Sequence, residues 1–481
     1  MRFLGDSVGR PIAIIAIALS ALGLIAVLSA SASTGASDPA CGCSSLYFFI
    51  RQAISCVLGM GLLLAARHCI NLDKARKFLS LPSFLICIVL AIAVLFFPSQ
   101  NGAKRWIHLG FFNVQVGEIC KVIFVCFWAD LLARRRARIG ETEDVNREGL
   151  APWRRWLQEL REDVRPFLGP LLLSFGMLII IEMGRDLGTL FLIAMTVVSM
   201  LFVAGLPIRL LIRAFGVMAV ILLPLLLLVS YRAERIKAWV SPMDYASTTA
   251  YQAVNSFMAI ASGKVWGCGM PFSGQKYGFL PEQHTDFIYA VICEEIGFVG
   301  SMGILTLFAL LCYCGFRLAS RCKDPYRALL AFGISAQIAM QVLLNVSVVT
   351  GLLPNKGLPL PLISYGGSSM CITLFSLGLL LNIADTYRRS GAVKKKTVYK
   401  RSSVRRGHTI SNSLLPYPSE SSDVRTSPIS SGEWRKIVCS DPVNQKRHLP
   451  GPRVKEGWKV IDINENSRKR RERIKKVQNI I

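Results

Sequence analysis

Apolar runs of membrane-crossing length recur through this chain from Pro11 onward. An α-helix needs about 20 such residues to cross the hydrocarbon core of a bilayer. No water is available there for exposed backbone N–H and C=O groups, so a run of this length must close its own hydrogen bonds as a helix. The pattern predicts ten spans, at 11–32, 46–66, 79–98, 116–133, 167–184, 187–205, 214–230, 287–316, 328–349 and 368–386. Composition agrees: 52% of residues are hydrophobic and only 18% charged, where soluble domains carry about a quarter. The expected fold class is an all-α polytopic integral membrane protein of about ten transmembrane helices, with a large extracytoplasmic loop, 231–286, between the seventh and eighth.

Lysine and arginine in the short loops set the orientation. Arg67, Lys74, Arg76 and Lys77 share one loop, and Arg134, Arg135, Arg136 and Arg138 open another. Arg209 with Arg213, and Arg317 with Arg321, Lys323 and Arg327, mark two more. All fall on the side of Arg2 and Arg10, which predicts that both termini are cytoplasmic. Ala30-Ser31-Ala32 imitates a cleavage site, but the apolar run before it is longer than a signal-peptide core, so an uncleaved first helix is expected. Two regions follow, a membrane domain, 1–386, and a tail, 387–481, whose 24 Lys/Arg against 8 Asp/Glu give +16 of the chain's +26. The tail lacks sustained apolar periodicity and reads as disordered, cytoplasmic and attracted to anionic lipid. No nucleic-acid motif accompanies its charge, so no nucleic-acid partner is expected. The loop 134–165 fits an interfacial amphipathic helix or a solvated connector equally well. The 14 cysteines show no metal-binding spacing. Cys41, Cys43 and Cys268 fall outside the spans, where a disulfide from Cys268 to one of the other two and free thiols both fit.

Three outer segments are unusually polar for their position: 101–110, the loop 231–286, and 351–369 with its prolines and glycines. Irregular backbone at membrane depth is tolerated where it lines a protein cavity, so the three are expected to meet around one outward-facing cavity. The stretch LPEQHTDFIYAVICEEIG (280–297) crowds Glu282, His284, Asp286, Glu294 and Glu295 into a segment that runs straight into some twenty apolar residues. Asp286 fits two accounts: a helix-terminal carboxylate bonding free N–H groups, or a carboxylate whose partial desolvation suits it to accept a proton or hold a metal. Ionisable residues inside spans are functional candidates by default. Glu118 and Lys121, three residues apart, share a helix face as an internal ion pair or as a wall of the cavity. Glu294 and Glu295 are consecutive and cannot share a face. Asp186 lies beside Arg185, where a turn-stabilising pair is the plainer account. Lys104, Arg105, Arg185, Arg235, Lys264, Lys276 and Lys356 lie on the outer side. Taken singly they suit interface anchoring; together they suit a diphosphate substrate.

Six motifs carry a family resemblance. LPEQHTDFIYAVICEEIGFVG resembles LPExHTDFIFAxxxEExG of the SEDS family (shape, elongation, division and sporulation proteins). NGAKRWI is similar to its GAxRWI, QVGEICK to QPSExxK, and GRDLGT to PDLGT. YQAVNSFMAIASGKVWGCG resembles YQxxxSxxAIxSGGxxGxG, and GLLPNKGLPLPLISYGGSS resembles GLLPTxGLPLPxISYGGSS. The matches keep family order over about 10–386, and Asn355-Lys356-Gly357 resembles the division branch more than the elongation branch. Departures are Val116-Gly117 for Pro-Ser, Arg185 for Pro, Lys264 for Gly and Asn355 for Thr; none removes an ionisable residue of the pattern.

The resemblance implies a peptidoglycan glycosyltransferase that polymerises lipid II in the bacterial inner membrane at the division septum. It also implies a class B penicillin-binding transpeptidase and other division proteins as partners. Asp286 matches the family's essential acid and is the expected catalytic base. Arg105, Glu118, Lys121, Asp186, Lys276, His284, Glu295, Lys356 and Ser364 are expected to bind substrate or line the cavity. Arg105, Lys276 and Lys356 are the candidates to stabilise the leaving diphosphate. No cofactor is assigned; a divalent cation, Mg or Mn, with Asp286 as one ligand, stays open. Transport of lipid II across the bilayer, or a non-catalytic scaffold in the division machinery, are the alternatives.

Overall fold

The computed structural model describes residues 8–37, 44–99, 102–108, 113–139, 168–206, 230–270, 274 and 280–410, with side chains described as far as Arg389. The chain divides into two units, Met1–Gly407 and His408–Ile481, and the second lies almost wholly outside the described residues. The helices, in chain order, are α1 Gly9–Ser37, α2 Tyr47–His68, α3 Leu72–Leu79, α4 Leu81–Val94, α5 Val116–Ile139, α6 Leu168–Met183 and α7 Leu187–Val203. They continue with α8 Ser230–Val240, α9 Tyr251–Gly263, α10 Ile288–Arg321, α11 Pro325–Val349 and α12 Gly367–Ile410. One antiparallel hairpin, β1 Trp106–His108 and β2 Asn113–Gln115, precedes α5, with Ile107 opposite Val114.

Nine of the ten expected spans overlap a described helix; the other, 214–230, lies outside the described residues but for Ser230, where α8 begins. By length and composition, five helices can cross a bilayer: Gly9–Ala32, Tyr47–His68, Ile288–Arg321, Pro325–Val349 and Gly367–Arg389. The α3–α4 pair, bent by 45°, makes a sixth if taken as one span. The shorter apolar helices Gly169–Met183 and Leu187–Val203 lie between them in sequence. Helix α5 carries Glu118, Lys121 and Asp130 along an otherwise apolar run, and all three are buried inside the protein. Charge is tolerated there because each finds a partner: Lys121 lies 2.7 Å from Glu118, and Asp130 lies 2.7 Å from Arg134.

Helix α11 is the hub, packed against α10, α5 and α7, while α1 lies against α10 and α2. Small residues on α11 (Ala331, Gly333, Ser335, Ala336) let these backbones approach closely. Large apolar side chains left exposed, such as Ile14, Val57, Val89 and Phe298, suit hydrocarbon contact.

One helix is broken. Inside α10, Gly297 has φ 68° and ψ −171°, a conformation open essentially to glycine alone. The break removes the partners that the Glu294 and Glu295 carbonyls would have one turn on. The segment after α9 supplies replacements. Cys268 N–H donates to Glu294 O at 2.9 Å and Gly269 N–H to Glu295 O at 3.0 Å. Beyond the break, Phe298 N–H donates to Lys264 O at 3.0 Å and Val299 N–H to Val265 O at 3.2 Å. The SGKVWGCG motif therefore mends the helix it crosses. The same ladder holds Cys268, whose Sγ lies 3.1 Å from Glu294 O; Cys41 and Cys43, its expected alternatives for pairing, lie outside the described residues.

Candidate active site

The three polar segments are linked to one another by hydrogen bonds, 101–110 through its hairpin partner. Gln115 N–H donates to Ser368 Oγ, which donates to Asn113 O, fixing the hairpin to the start of α12. From α8, Arg235 donates to Asn355 O at 2.9 Å and Trp239 to Gly351 O at 2.8 Å. Asn355 Nδ2 donates to Gln252 Oε1 of α9. Tyr365 N–H donates to His284 O at 2.8 Å, closing the 351–366 loop over the turn that carries Asp286.

Asp286 ends that turn, just before α10. It does not cap the helix: the N-cap position is Phe287, and among the described residues the Asp286 carboxylate accepts no hydrogen bond. Its Oδ2 instead abuts Gly357, where an added Cβ would fall 2.6 Å away, so the glycine leaves room for the carboxylate. Desolvation pushes the carboxyl up to about 7, with Glu282 and Asp186 pushing the same way and the Arg105 and Arg235 guanidiniums opposing them. A carboxyl near neutrality is matched to taking a proton at physiological pH.

Arg105 and Asp186 form the adjoining wall. Asp186 caps α7, accepting from Thr189 N–H at 3.3 Å and Thr189 Oγ1 at 2.9 Å. Its ionic neighbour is Arg105 at 3.9 Å, not the adjacent Arg185, which turns away at φ 61° and donates to Gly102 O. Arg105 also donates to Arg185 O, and its Nε is buried without a hydrogen-bond partner.

Behind this wall a polar chain crosses the protein. Lys121, paired with Glu118, donates to Gln341 Oε1 at 2.9 Å. Gln341 Nε2 donates to Pro359 O at 2.8 Å. One turn on, Asn345 Nδ2 donates both to Asp286 O at 2.9 Å and to Leu358 O at 2.7 Å. Asn345 thus ties the turn bearing Asp286 to the loop bearing Gly357. Arg235 is one of the outer cations that the sequence offers for a diphosphate, whereas Gln341 and Asn345 are not among the residues it singles out. The signal for these two was Gln337, Gln341 and Asn345 at four-residue spacing on an apolar helix.

Other expected site residues stand elsewhere. His284 is packed between Phe48 and Tyr365, with ring centroids at 4.4 and 5.5 Å, and burial pushes its pKa down. Ser364 is a loop brace: its hydroxyl accepts from Leu360 N–H and its carbonyl from Gln52 Nε2. Glu295 is buried against α1, where Ser29 donates to it, and Glu294 accepts from Gly274 N–H. Lys356 is partly buried beside Gly357, and Lys276 lies outside the described residues. Among the described residues no three His, Cys, Asp or Glu side chains are grouped to hold a metal ion.

The family model described as "Cell cycle protein", FtsW/RodA/SpoVE, matches residues 10–389. The chain belongs to this family. Its relatives include proteins named "Probable peptidoglycan glycosyltransferase FtsW" from Geobacter sulfurreducens (35% identical, covering 78% of this chain and 94% of the relative) and from Bacillus subtilis (33%, 79% and 91%). Among solved structures, a chain from a peptidoglycan synthase complex coordinating polymerization and crosslinking matches with TM-score 0.60 and 26% identity, over 78% of this chain and 97% of that one. The rod shape determining protein RodA of Thermus thermophilus matches with TM-score 0.54 and 26% identity, over 80% and 98%. The family match ends within α12.

Proposed function

We propose that this chain is a peptidoglycan glycosyltransferase that polymerises lipid II into glycan strands during cell division. The observation that carries the reading is Asp286, a carboxyl raised to about 7 on which the Arg105 and Arg235 guanidiniums act, in a family whose relatives bear that enzyme name. In the proposed step Asp286 takes the proton of the acceptor sugar 4-hydroxyl. The freed oxygen attacks the anomeric carbon of the donor, the bond from that carbon to the diphosphate oxygen breaks, and polyprenyl diphosphate leaves with the electron pair. Charge grows on the diphosphate, so Arg105 and Arg235, held in place by Arg185 O and Asn355 O, stabilise the transition state. Lys356, and Lys276 in the outer loop, are the further cations assigned to this task. Glu118, Lys121, Gln341 and Asn345 position the reacting turn without touching substrate.

The enzyme acts as a multi-pass protein of the bacterial inner membrane, at the septum, with both termini cytoplasmic. Its partners are a class B penicillin-binding transpeptidase that cross-links the product, and other division proteins. Residues 1–386 form the membrane domain and 387–481 a basic cytoplasmic tail.

The test uses the purified chain with its transpeptidase partner and labelled lipid II, with cross-linking blocked by a β-lactam. Wild type is expected to give long glycan on a gel and Asp286→Asn none. Normal polymer from the variant would remove Asp286 from the mechanism. Absence of polymer from a well-folded wild-type complex, with lipid II flipping in vesicles, would replace catalysis by transport.

A further inference from the structure

At the end of the bundle opposite Asp286 there is a cavity of about 300 Å³ that the polymerising reaction does not use. Helix α10 joins the two ends: Asp286 precedes its first turn and Arg321 closes its last, with helical pieces of about 14 and 36 Å on the two sides of Gly297 between them. The cavity receives one arginine from each of four helices, Arg10 of α1, Arg67 of α2, Arg321 of α10 and Arg388 of α12. They face a single carboxylate, Asp385, which Arg67 already holds at 2.8 Å. Among the described residues Arg10, Arg321 and Arg388 have no hydrogen-bond or ionic partner.

Helix polarity accounts for only part of this cluster. Arg67 and Arg321 lie in last turns, where the helix dipole favours a cation. Arg10 lies in the first turn of α1, where the dipole opposes it. A bound anion removes that conflict, because a helix N-terminus and an arginine fork both attract phosphate oxygens. Between the charged groups the lining is apolar, with Val8, Ala13, Leu318, Ala384 and Ile14, the last 66% exposed. From there Ile17 and Ile25 continue an exposed apolar track along α1. A phosphate seated among the arginines would have a hydrocarbon path leading away from it.

We propose that this cavity binds the phosphodiester headgroup of an anionic phospholipid, with one acyl chain along Ile14, Ile17 and Ile25. On the orientation given above, the lipid belongs to the cytoplasmic leaflet. Free phosphate shares the recognised chemistry but has no use for the apolar track.

The full chain in detergent is titrated with phosphatidylglycerol, phosphatidylcholine or inorganic phosphate and examined by native mass spectrometry. One saturable phosphatidylglycerol adduct is expected, with little phosphatidylcholine retained. Arg10→Gln/Arg321→Gln is expected to weaken retention about thirtyfold. Lys395→Gln/Lys396→Gln, which removes the same charge from the tail, is expected to behave as wild type. Equal losses from the two variants, equal retention of phosphatidylcholine, or binding of inorganic phosphate without lipid would each overturn the proposal. Wild-type protein also gives a readout that needs no variant. A phosphatidylglycerol photoprobe carrying its reactive group on an acyl chain is expected to label the first half of α1, and labelling confined to other helices would equally overturn it. Neither readout depends on glycan synthesis, so failure here and failure of the enzymatic reading are separable.

Discussion

Asp286 meets two conditions that a proton acceptor needs: its carboxylate is not engaged by a hydrogen-bond donor among the described residues, and its pKa lies near working pH. General-base help is worth about 10²–10⁴-fold, so Asp286→Asn should cost at least that much in turnover. The rate of glycan synthesis should rise with pH through about 7 and then level, because only the ionised form accepts a proton. Glu282→Gln removes a like charge that raises Asp286, so the acid limb should move to lower pH; Arg235→Gln removes an opposing one and should move it higher. Stability has a matching sign. The folded carboxyl keeps its proton up to about 7 and the unfolded one releases it near 3.8, so this group's contribution is lost as pH rises through that window. The Glu118–Lys121 pair is buried at 2.7 Å. Lys121→Met alone strands a buried carboxylate and should cost about 3–5 kcal/mol in thermal unfolding, while Glu118→Leu/Lys121→Met together should recover most of it.

At the scale of elements, α11 does more than pack. Asn345 holds the Asp286 backbone and the Leu358 backbone with one amide. Asn345→Leu should leave those carbonyls short of donors and loosen the turn, lowering kcat about 10–100-fold with KM little changed, measured as initial rates of lipid II use. At the break in α10, Gly297→Ala combines a forbidden φ with a Cβ only 2.3 Å from Gly267 N. The expected result is a loss of more than about 1 kcal/mol, read from the unfolding midpoint. Most helices were legible because lipid forces a run of about twenty apolar residues to be helical. Asp286, Arg105 and Asp186 were legible as a set because their motifs are family motifs. The break at Gly297 was not, since an unbroken apolar run reads through it and its mending strand lies before α10 in the chain. Nor was the bracing role of Ser364 or the aromatic seat of His284: polar side chains in a motif look alike until their neighbours are known.

For the whole molecule, the family match and the membrane helices stop near 389, while α12 runs on to Ile410 and the remaining basic tail follows. Truncation after Ile410 should leave lipid II polymerisation in detergent unchanged and reduce septal enrichment of a fluorescent fusion in cells; loss of polymerisation would give the tail a catalytic duty. The interrupted α10 has a mechanical meaning as well. Its short first piece and the start of its long second piece, where Phe298 and Val299 are exposed, are both bonded to the segment after α9. The two pieces are spliced rather than hinged: four backbone hydrogen bonds to one segment, two on each side of Gly297, fix them against each other. The segment after α9 works as a splint, so any bend at Gly297 has to break bonds on one side of it.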